Sequence, residues 1–227
     1  MCLILLAWRA HAEYPLVVAA NRDEFRARRS SAAGFWTDRP SILAGRDMEA
    51  GGTWMGVARS GKFAAVTNYR GAYEPSAPAS RGSLVTGFLL NGNTSRQYMT
   101  EVGESAAQYS GFNLLAAGAD ELWWMSNRGG VPRALEPGIY GLGNTLLDAP
   151  EVEPAKKSFT EAIQPLPAIE PLLGVLAAAR IAGEQYGTRC STVLLLGKDR
   201  RVRYAERTFS GSGAEEDTVQ YEFAAAG

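Results

Sequence analysis

The sequence predicts an α+β fold in which blocks of strands alternate with two pairs of helices. Short apolar runs dominate both ends of the chain, and helical spacing appears only in two middle regions. The order is therefore strands, helix pair, strands, helix pair, strands. Because every layer must bury its apolar face, we expect a four-layer αββα sandwich of two stacked sheets between two helix layers. One mixed sheet with helices on one side also fits this order.

The expected strands are continuous apolar runs of four to eight residues, which are typical of strands buried on both faces. Gly, Pro or Asn residues bound them. The runs are CLILLAW, PLVVAAN, TWMGVA, KFAAVTNY, FNLLAAG, ELWWMS and STVLLLG. Near the C-terminus the segment Arg201–Phe209 instead alternates basic and apolar residues. Such alternation predicts a half-exposed strand, either outer or at the edge of a sheet.

The helices are expected where apolar residues recur every three or four positions. In the first pair, one helix follows Ser83 and the next follows Thr94. The second pair lies around Phe159–Ile163 and Leu172–Arg180, and the segment QPLPAIEP separates its two helices. No repeat or low-complexity linker divides these blocks. We therefore expect a single domain over residues 1–227.

The composition narrows the range of partners. The chain has 227 residues with 23 basic and 24 acidic side chains, and this balance gives no electrostatic case for binding nucleic acid. No apolar run approaches the roughly 20 residues of a membrane-spanning helix, so we expect no membrane insertion. Two cysteines are too few for a disulfide framework, which favours a cytoplasmic location. A small-molecule ligand is the expected partner, and the oligomeric state stays open.

The first apolar run begins with Cys2, for which two interpretations are open. Free cysteine is often buried and can simply start a core strand. Alternatively, removal of Met1 would leave one residue that carries both a thiol nucleophile and an α-amine base. The single histidine, His11, falls between two apolar runs, where we expect a solvated turn. A hydrolase built on this chain would therefore use a base other than histidine.

Polar residues at the end of the second expected strand are further candidates. In an extended strand Asn21 and Asp23 share one face. Arg22 and Glu24 share the other face. If this strand pairs with the first, one of these pairs lies near Cys2. A carboxylate there would hold the α-amine or the substrate, and an arginine would lower the thiol pKa. A charged hairpin end is the structural alternative.

Two asparagines are candidates for stabilising an oxyanion. Asn68 ends a strong apolar strand, and Asn144 lies in the glycine-rich segment YGLGNTLLDAP. Side-chain amides at such positions can donate hydrogen bonds to a developing oxyanion. Each residue is also well suited to a turn, and that explanation requires no catalysis.

Several long segments together resemble one known family. They are MCLI, NRDEF, LAGRDMEAGGTWMGV, FAAVTNYRG, FNLL, YGLGNTLLDAP and GTRCSTVLLL. In this order they resemble the NRDE-motif family, also called the transport-and-Golgi-organisation 2 family, over nearly the whole chain. One departure follows Pro150, where the family usually continues Trp-Pro-Lys and this chain has Glu151–Glu153.

The resemblance implies a fold and a reaction. The family looks similar to N-terminal-nucleophile hydrolases, which have an αββα sandwich and include cysteine-dependent acylases of penicillin and bile-salt amides. The implied activity is cleavage of a linear amide of a small molecule, without a cofactor. The implied site contains Cys2 as nucleophile and base, Asp23 near the amine with Asn21 beside it, Arg22 as thiol activator, and Asn68 and Asn144 as oxyanion donors.

The resemblance also implies a non-catalytic alternative, because members of the family have been linked to the movement of haem. Haem would then be the ligand, and Trp54, Trp123 and Trp124 would line an apolar slot. Cys2, His11 or a tyrosine would ligate the iron. Packing in the core is the other explanation for these aromatic residues.

Overall fold

A computed structural model describes residues 2–70, 77–129 and 131–226 of the chain. These residues form two compact units. The first contains the chain up to Arg28 together with Pro137–Ala224, and the second contains Arg29–Glu136 and the residues from Ala225 onward. The polypeptide thus leaves the first unit after its second strand and returns to it later. Each unit has one antiparallel sheet with two helices on one face.

The elements are numbered along the chain. The strands are β1 (Leu3–Trp8), β2 (Leu16–Phe25), β3 (Ser30–Phe35), β4 (Ile42–Asp47), β5 (Met55–Ala58), β6 (Phe63–Asn68), β7 (Phe112–Ala117), β8 (Leu122–Ser126), β9 (Arg133–Ala134), β10 (Gly138–Leu142), β11 (Tyr186–Leu196), β12 (Arg201–Phe209) and β13 (Glu215–Ala224). The helices are α1 (Gly82–Leu90), α2 (Ser95–Ser105), α3 (Glu153–Ala162) and α4 (Glu170–Ala178). Short 3₁₀ turns occupy Ala106–Gln108 and Pro150–Val152.

The first unit is a six-stranded sheet in the order β10-β1-β2-β11-β12-β13, with α3 and α4 packed on one face. Alternate residues of the central strands, such as Leu5, Val17 and Val193, meet Phe159 and Leu176 of the helices in one buried cluster. Burial of these side chains is the main favourable contribution to the free energy of folding in this unit. Helix α3 packs against β10 and β1, and α4 packs against β2 and β11.

The second unit is a seven-stranded meander in the order β3-β4-β5-β6-β7-β8-β9. Helices α1 and α2 cover one face, where Val85, Phe88 and Met99 pack against Ala64 and Leu114. Helix α2 begins after Thr94, whose side chain accepts from the N–H of Gln97 in a capping box.

The glycine pair before Trp54 is explained by the second unit's backbone. Gly51 has φ +76°, as expected for a turn glycine. A Cβ on Gly52 would lie 2.6 Å from the carbonyl carbon of Gly82, at the start of α1. Gly52 is therefore required because two backbone segments approach closely there.

Every apolar run that the sequence analysis assigned to a strand lies in a strand, and the four helices are confirmed. The interpretation of Arg201–Phe209 as an outer strand needs correction, since β12 lies between β11 and β13. The true edge strand, β13, was missed. Its sequence EEDTVQYEFA has few apolar residues and is largely exposed, so its pairing with β12 rather than a hydrophobic pattern defines it.

The turn between β1 and β2 contains His11, as predicted. The Nδ1 atom of His11 accepts from the backbone N–H groups of Glu13 (3.1 Å) and Tyr14 (3.3 Å). The imidazole therefore stabilises the turn. None of the helices in the described part of the chain is long and apolar enough to cross a membrane.

Candidate functional site

The thiol of Cys2 lies at the end of the β1–β2 ladder. Leu3 pairs with Asn21, so continuing the antiparallel register by one residue sets Cys2 opposite Arg22. The Sγ atom is 3.4 Å from both main-chain polar atoms of Asp23. The S–H donates to the Asp23 carbonyl, and the Asp23 N–H donates to sulfur. The predicted proximity of Cys2 to the NRDE segment is thus present in the structure.

The environment of Cys2 disfavours its ionised form. Burial raises the pKa of this thiol to about 11, although the hydrogen bond from the Asp23 N–H acts in the opposite direction. The positive charge of Arg22 also lowers the pKa, while the Asp23 carboxylate raises it. Near neutral pH the thiol is therefore protonated, and it needs a base before it can act as a nucleophile.

The side chain of Asp23 is buried and held by β11. Its Oδ1 atom accepts from the hydroxyl of Thr188 at 2.6 Å, and Thr188 is its cross-strand neighbour. The same hydroxyl oxygen accepts from the N–H of Ile181 at 2.9 Å. The hydroxyl of Tyr186 donates to the Asp23 carbonyl at 3.3 Å. Both the carboxylate and the main chain of Asp23 are therefore fixed by β11.

Arg22 lies on the opposite face of β2 from Asp23, as the alternation predicted. It is 8% exposed, and its Nη2 atom is 3.7 Å from Oε2 of Glu24, which shares its face. Its neighbour on β11 is Cys190. Burial raises the pKa of the Cys190 thiol well above its ordinary value, with a further contribution from Glu206. Arg22 therefore has a thiol-bearing residue on each side.

Asn21 is fully buried, and both ends of its side-chain amide are engaged by the scaffold. Its Nδ2 donates to the carbonyl of Leu176 in the last turn of α4 at 2.8 Å. Its Oδ1 accepts from the hydroxyl of Ser191 at 2.6 Å. A helix end leaves carbonyl groups without intrahelical partners, so Asn21 attaches α4 to the sheet. These contacts give Asn21 a structural role, and its place in the catalytic site stays a prediction.

Asn144 follows β10, the strand on the other side of β1. Ile4 pairs with Leu142, the last residue of β10, so the loop that contains Asn144 begins near the end of β1 that Cys2 precedes. The loop is closed by a bridge between Leu142 and Leu147, and Asn144 is 6% exposed. Asp23 and the Asn144 loop are thus on the two sides of β1, at its Cys2 end.

The loop that contains Asn144 is also held by an ion pair and by side-chain hydrogen bonds. Asp148 accepts from the N–H of Gly141 and forms an ion pair with Lys156 of α3 at 3.1 Å. Glu151, which stands where this chain departs from the family pattern, accepts from the hydroxyl of Thr145. Different residues therefore stabilise this loop without the usual Trp-Pro-Lys segment.

The remaining predicted residues lie in the second unit. Asn68 is the exposed last residue of β6, and its role as an oxyanion donor stays a prediction. Trp123 and Trp124 are consecutive in β8, so their side chains point to opposite faces of the sheet. Trp123 packs against the cluster beneath α1 and α2, whereas Arg133 lies over the Trp124 ring. The two tryptophans do not line one slot.

A protein metal site needs several converging ligands. Among the described residues, no three or more His, Cys, Asp and Glu side chains converge in a way that could hold a metal ion. Trp54, the third aromatic residue of the haem hypothesis, is half-buried between β4 and β5 in sequence. Haem iron is held by one or two axial side chains rather than by such a cluster, and the haem alternative stays a prediction.

Sequence analysis missed Tyr186, Thr188 and Ser191 as partners of the NRDE segment. The expected strand began only at Ser191, whereas β11 starts at Tyr186. The available signal was the hydroxyl-rich segment GTRCST next to the second cysteine. Buried polar groups need hydrogen-bond partners, so a buried strand rich in hydroxyl groups is a candidate partner for buried amides and carboxylates.

Comparison with known proteins agrees with these observations. The model of the family described as Transport and Golgi organisation 2 matches residues 1–180. The chain belongs to this family. Curated relatives include the Transport and Golgi organization protein 2 homologs of Bos taurus and Homo sapiens, each 36% identical with 92% of both chains covered. The Drosophila melanogaster protein is 28% identical over 70% of this chain and 64% of its own length.

One solved structure relates the fold of this family member to hydrolases. The Caenorhabditis elegans ortholog of N-acylethanolamine-hydrolyzing acid amidase matches with a TM-score of 0.56 at 13% identity, covering 86% of this chain and 92% of the other. At this identity the likeness shows the fold and not the activity. The α+β fold class of N-terminal-nucleophile hydrolase type, expected from the sequence, is confirmed.

Proposed function

We propose that this family member is a cysteine amidohydrolase that cleaves a linear amide of a small molecule through Cys2. The observation that carries the proposal is the position of the Cys2 sulfur, which forms hydrogen bonds with the main chain of Asp23 just before β1. The fold around it is similar to that of an amidase. A thiol at this position becomes an amino-terminal nucleophile when Met1 is removed. No cofactor takes part.

The proposed reaction begins with proton transfer from the Cys2 thiol to its own α-amine. The thiolate attacks the amide carbonyl carbon, a C–S bond forms, and negative charge develops on the carbonyl oxygen. Breakage of the C–N bond releases an amine, which receives the proton from the ammonium group. Water then hydrolyses the thioester to a carboxylic acid and regenerates the thiol. The net reaction consumes one amide and one water molecule.

The α-amine provides the base that the protonated Cys2 thiol needs. A thiol with a pKa of about 11 is almost entirely protonated at pH 7. An α-amine has a pKa of about 7.7–8.0, so it is a base suited to neutral pH. Removal of Met1 therefore places the base on the same residue as the nucleophile.

Neighbouring residues have separate roles in this proposal. Asn144 donates its side-chain N–H to the oxyanion, since its loop follows β10 at the Cys2 end of β1. Arg22 favours the thiolate by its positive charge. Asp23 holds the sulfur through its main chain.

The test is amide hydrolysis by the purified chain and by the matched variants Cys2→Ala and Cys190→Ala. N-acylethanolamines are the first probes, since the structural neighbour is named for their hydrolysis, and other N-acyl amides follow. We expect Cys2→Ala to abolish turnover while substrate binding is retained, and Cys190→Ala to keep turnover within about threefold because Cys190 is not a reacting group.

Haem binding without amide cleavage is the outcome that would contradict the proposal. If the parent forms no thioester with any amide, while both the parent and Cys2→Ala give a Soret band on haem titration, the amidohydrolase proposal is wrong and the haem alternative is favoured. If amide turnover persists in Cys2→Ala, another nucleophile performs the reaction.

A further inference from the structure

Two residues of β11 contact Asp23 from different sides. The Thr188 hydroxyl donates to the Asp23 carboxylate at 2.6 Å, and the Tyr186 hydroxyl donates to the Asp23 carbonyl oxygen at 3.3 Å. That carbonyl oxygen is also the acceptor of the Cys2 S–H at 3.4 Å. Tyr186 and Cys2 therefore share one acceptor atom, and Thr188 fixes the residue to which that atom belongs.

A β-bulge in β11 makes this arrangement possible. Thr188 pairs with Asp23 and Cys190 pairs with Arg22, so Arg189 is an extra residue on β11. Because of this insertion, Thr188 and Ser191 present hydroxyl groups to the same face of the sheet although they are three residues apart. Without it, residues three apart on the strand would face opposite sides, and only one of the two hydroxyls could reach its partner on β2.

The bulged residue itself fixes the end of β2. The Nη1 atom of Arg189 lies 2.9–3.4 Å from the carbonyl oxygens of Phe25, Arg26 and Arg28. These bonds hold the backbone that follows the NRDE segment. The strand that carries Asp23 is thus restrained just after the residues that contact the thiol.

We propose that Tyr186 and Thr188 are positioning residues that set the reactivity of Cys2 through Asp23. The proposal rests on the function proposed above. The S–H···O bond stabilises the protonated thiol, whereas the Asp23 N–H bond to sulfur stabilises the thiolate. Tyr186 weakens the first bond by donating to the same carbonyl oxygen. Thr188 keeps the buried carboxylate paired, so that the Asp23 main chain stays beside the sulfur.

Two separate changes would follow from loss of these contacts. Without the Tyr186 hydroxyl, the carbonyl oxygen is left to the Cys2 S–H, and the protonated thiol gains stability. Without the Thr188 hydroxyl, the Asp23 carboxylate, which is 4% exposed, loses a hydrogen bond inside the protein. In that case the main chain of Asp23 shifts away from the sulfur. Both changes slow reactions of the Cys2 thiol.

The experiment measures alkylation of Cys2 by iodoacetamide between pH 6 and pH 10, resolved from Cys190 by peptide mass spectrometry. The variants are Tyr186→Phe and Thr188→Val, with Thr188→Ser to restore the hydroxyl. Tyr14→Phe and Thr192→Val are matched controls. Their hydroxyl groups contact Arg203 and Glu206, respectively. All chains are compared in the same state of Met1 processing, determined by intact mass.

We expect alkylation at pH 8 to slow about fivefold in Tyr186→Phe and in Thr188→Val, with the pH profile displaced upward, as loss of one hydrogen bond predicts. Thr188→Ser and both controls should stay within about twofold of the parent, the scatter usual for neutral substitutions. Equal rates in Tyr186→Phe and Tyr14→Phe would overturn the proposal even if Thr188→Val fails to fold. Because alkylation needs no substrate, this result is independent of whether amide hydrolysis is found.

Discussion

The two cysteines of this chain lie on either side of the same arginine, yet they differ in what surrounds them. Cys190 is in the interior of β11, between β2 and β12, and is 6% exposed. Cys2 precedes β1, is half-buried, and has its sulfur on the main chain of Asp23. Burial raises the pKa of both thiols. Position at a strand end, next to a removable methionine, therefore distinguishes the proposed nucleophile from a core cysteine.

The largest expected effect on this comparison comes from Asn144, whose loop follows β10 at the Cys2 end of β1. In Asn144→Ala we expect kcat for amide hydrolysis to fall about 10²–10³-fold, the usual cost of removing one oxyanion donor. KM should change little, since the oxyanion forms only in the transition state. A fall of less than about threefold, which is within the range of neutral substitutions, would show that Asn144 is only a loop residue.

A smaller effect is expected when the pH dependence of the two thiols is compared in chain that retains Met1. Since the pKa of Cys2 is raised to about 11, its thiolate form is scarce at pH 7 and increases as the pH rises. Its alkylation rate should therefore rise about tenfold per pH unit from pH 7 to 10. Cys190 should react more slowly throughout this range. A plateau for Cys2 below pH 8 in Met1-containing chain would contradict the pKa assignment.

The smallest effect concerns Asn21, which lies on β2 between the two cysteine-bearing strands. Asn21→Ala leaves the Leu176 carbonyl and the Ser191 hydroxyl without this partner, so we expect the free energy of unfolding to decrease by about 1–3 kcal/mol. Urea denaturation measures it. Unchanged stability with a kcat loss as large as that of Asn144→Ala would assign Asn21 to catalysis instead.

The sequence predicted those parts of the fold that depend on apolar patterns. Strands such as β1 and β7 are continuous apolar runs, and Thr94 marks the start of α2 through its capping box. The pairing of β1 with β2, and hence the proximity of Cys2 to the NRDE segment, followed from two adjacent apolar runs joined by a short turn. Strand β13 could not be predicted in this way, because ladder hydrogen bonds define it.

The contacts that hold the NRDE segment in place could not be predicted from the sequence. A bulge at Arg189 inverts the face on which later β11 residues point, and no hydrophobic pattern records it. For this reason the bonds from Thr188 to Asp23 and from Ser191 to Asn21 appear only in three dimensions. The contact of Asn21 with a helix end was hidden for a different reason, since its partner Leu176 is 155 residues away in sequence.

Mass spectrometry of the intact chain and its amino-terminal peptide, purified from its own host, tests the central claim most directly. We predict that Met1 is absent and that Cys2 carries the free α-amine. Brief incubation with a reactive amide substrate should then leave an acyl group on Cys2, and a Cys2→Ala chain should carry none. Complete retention of Met1 in that material would contradict the account, because the thiol would then lack the amine that serves as its base.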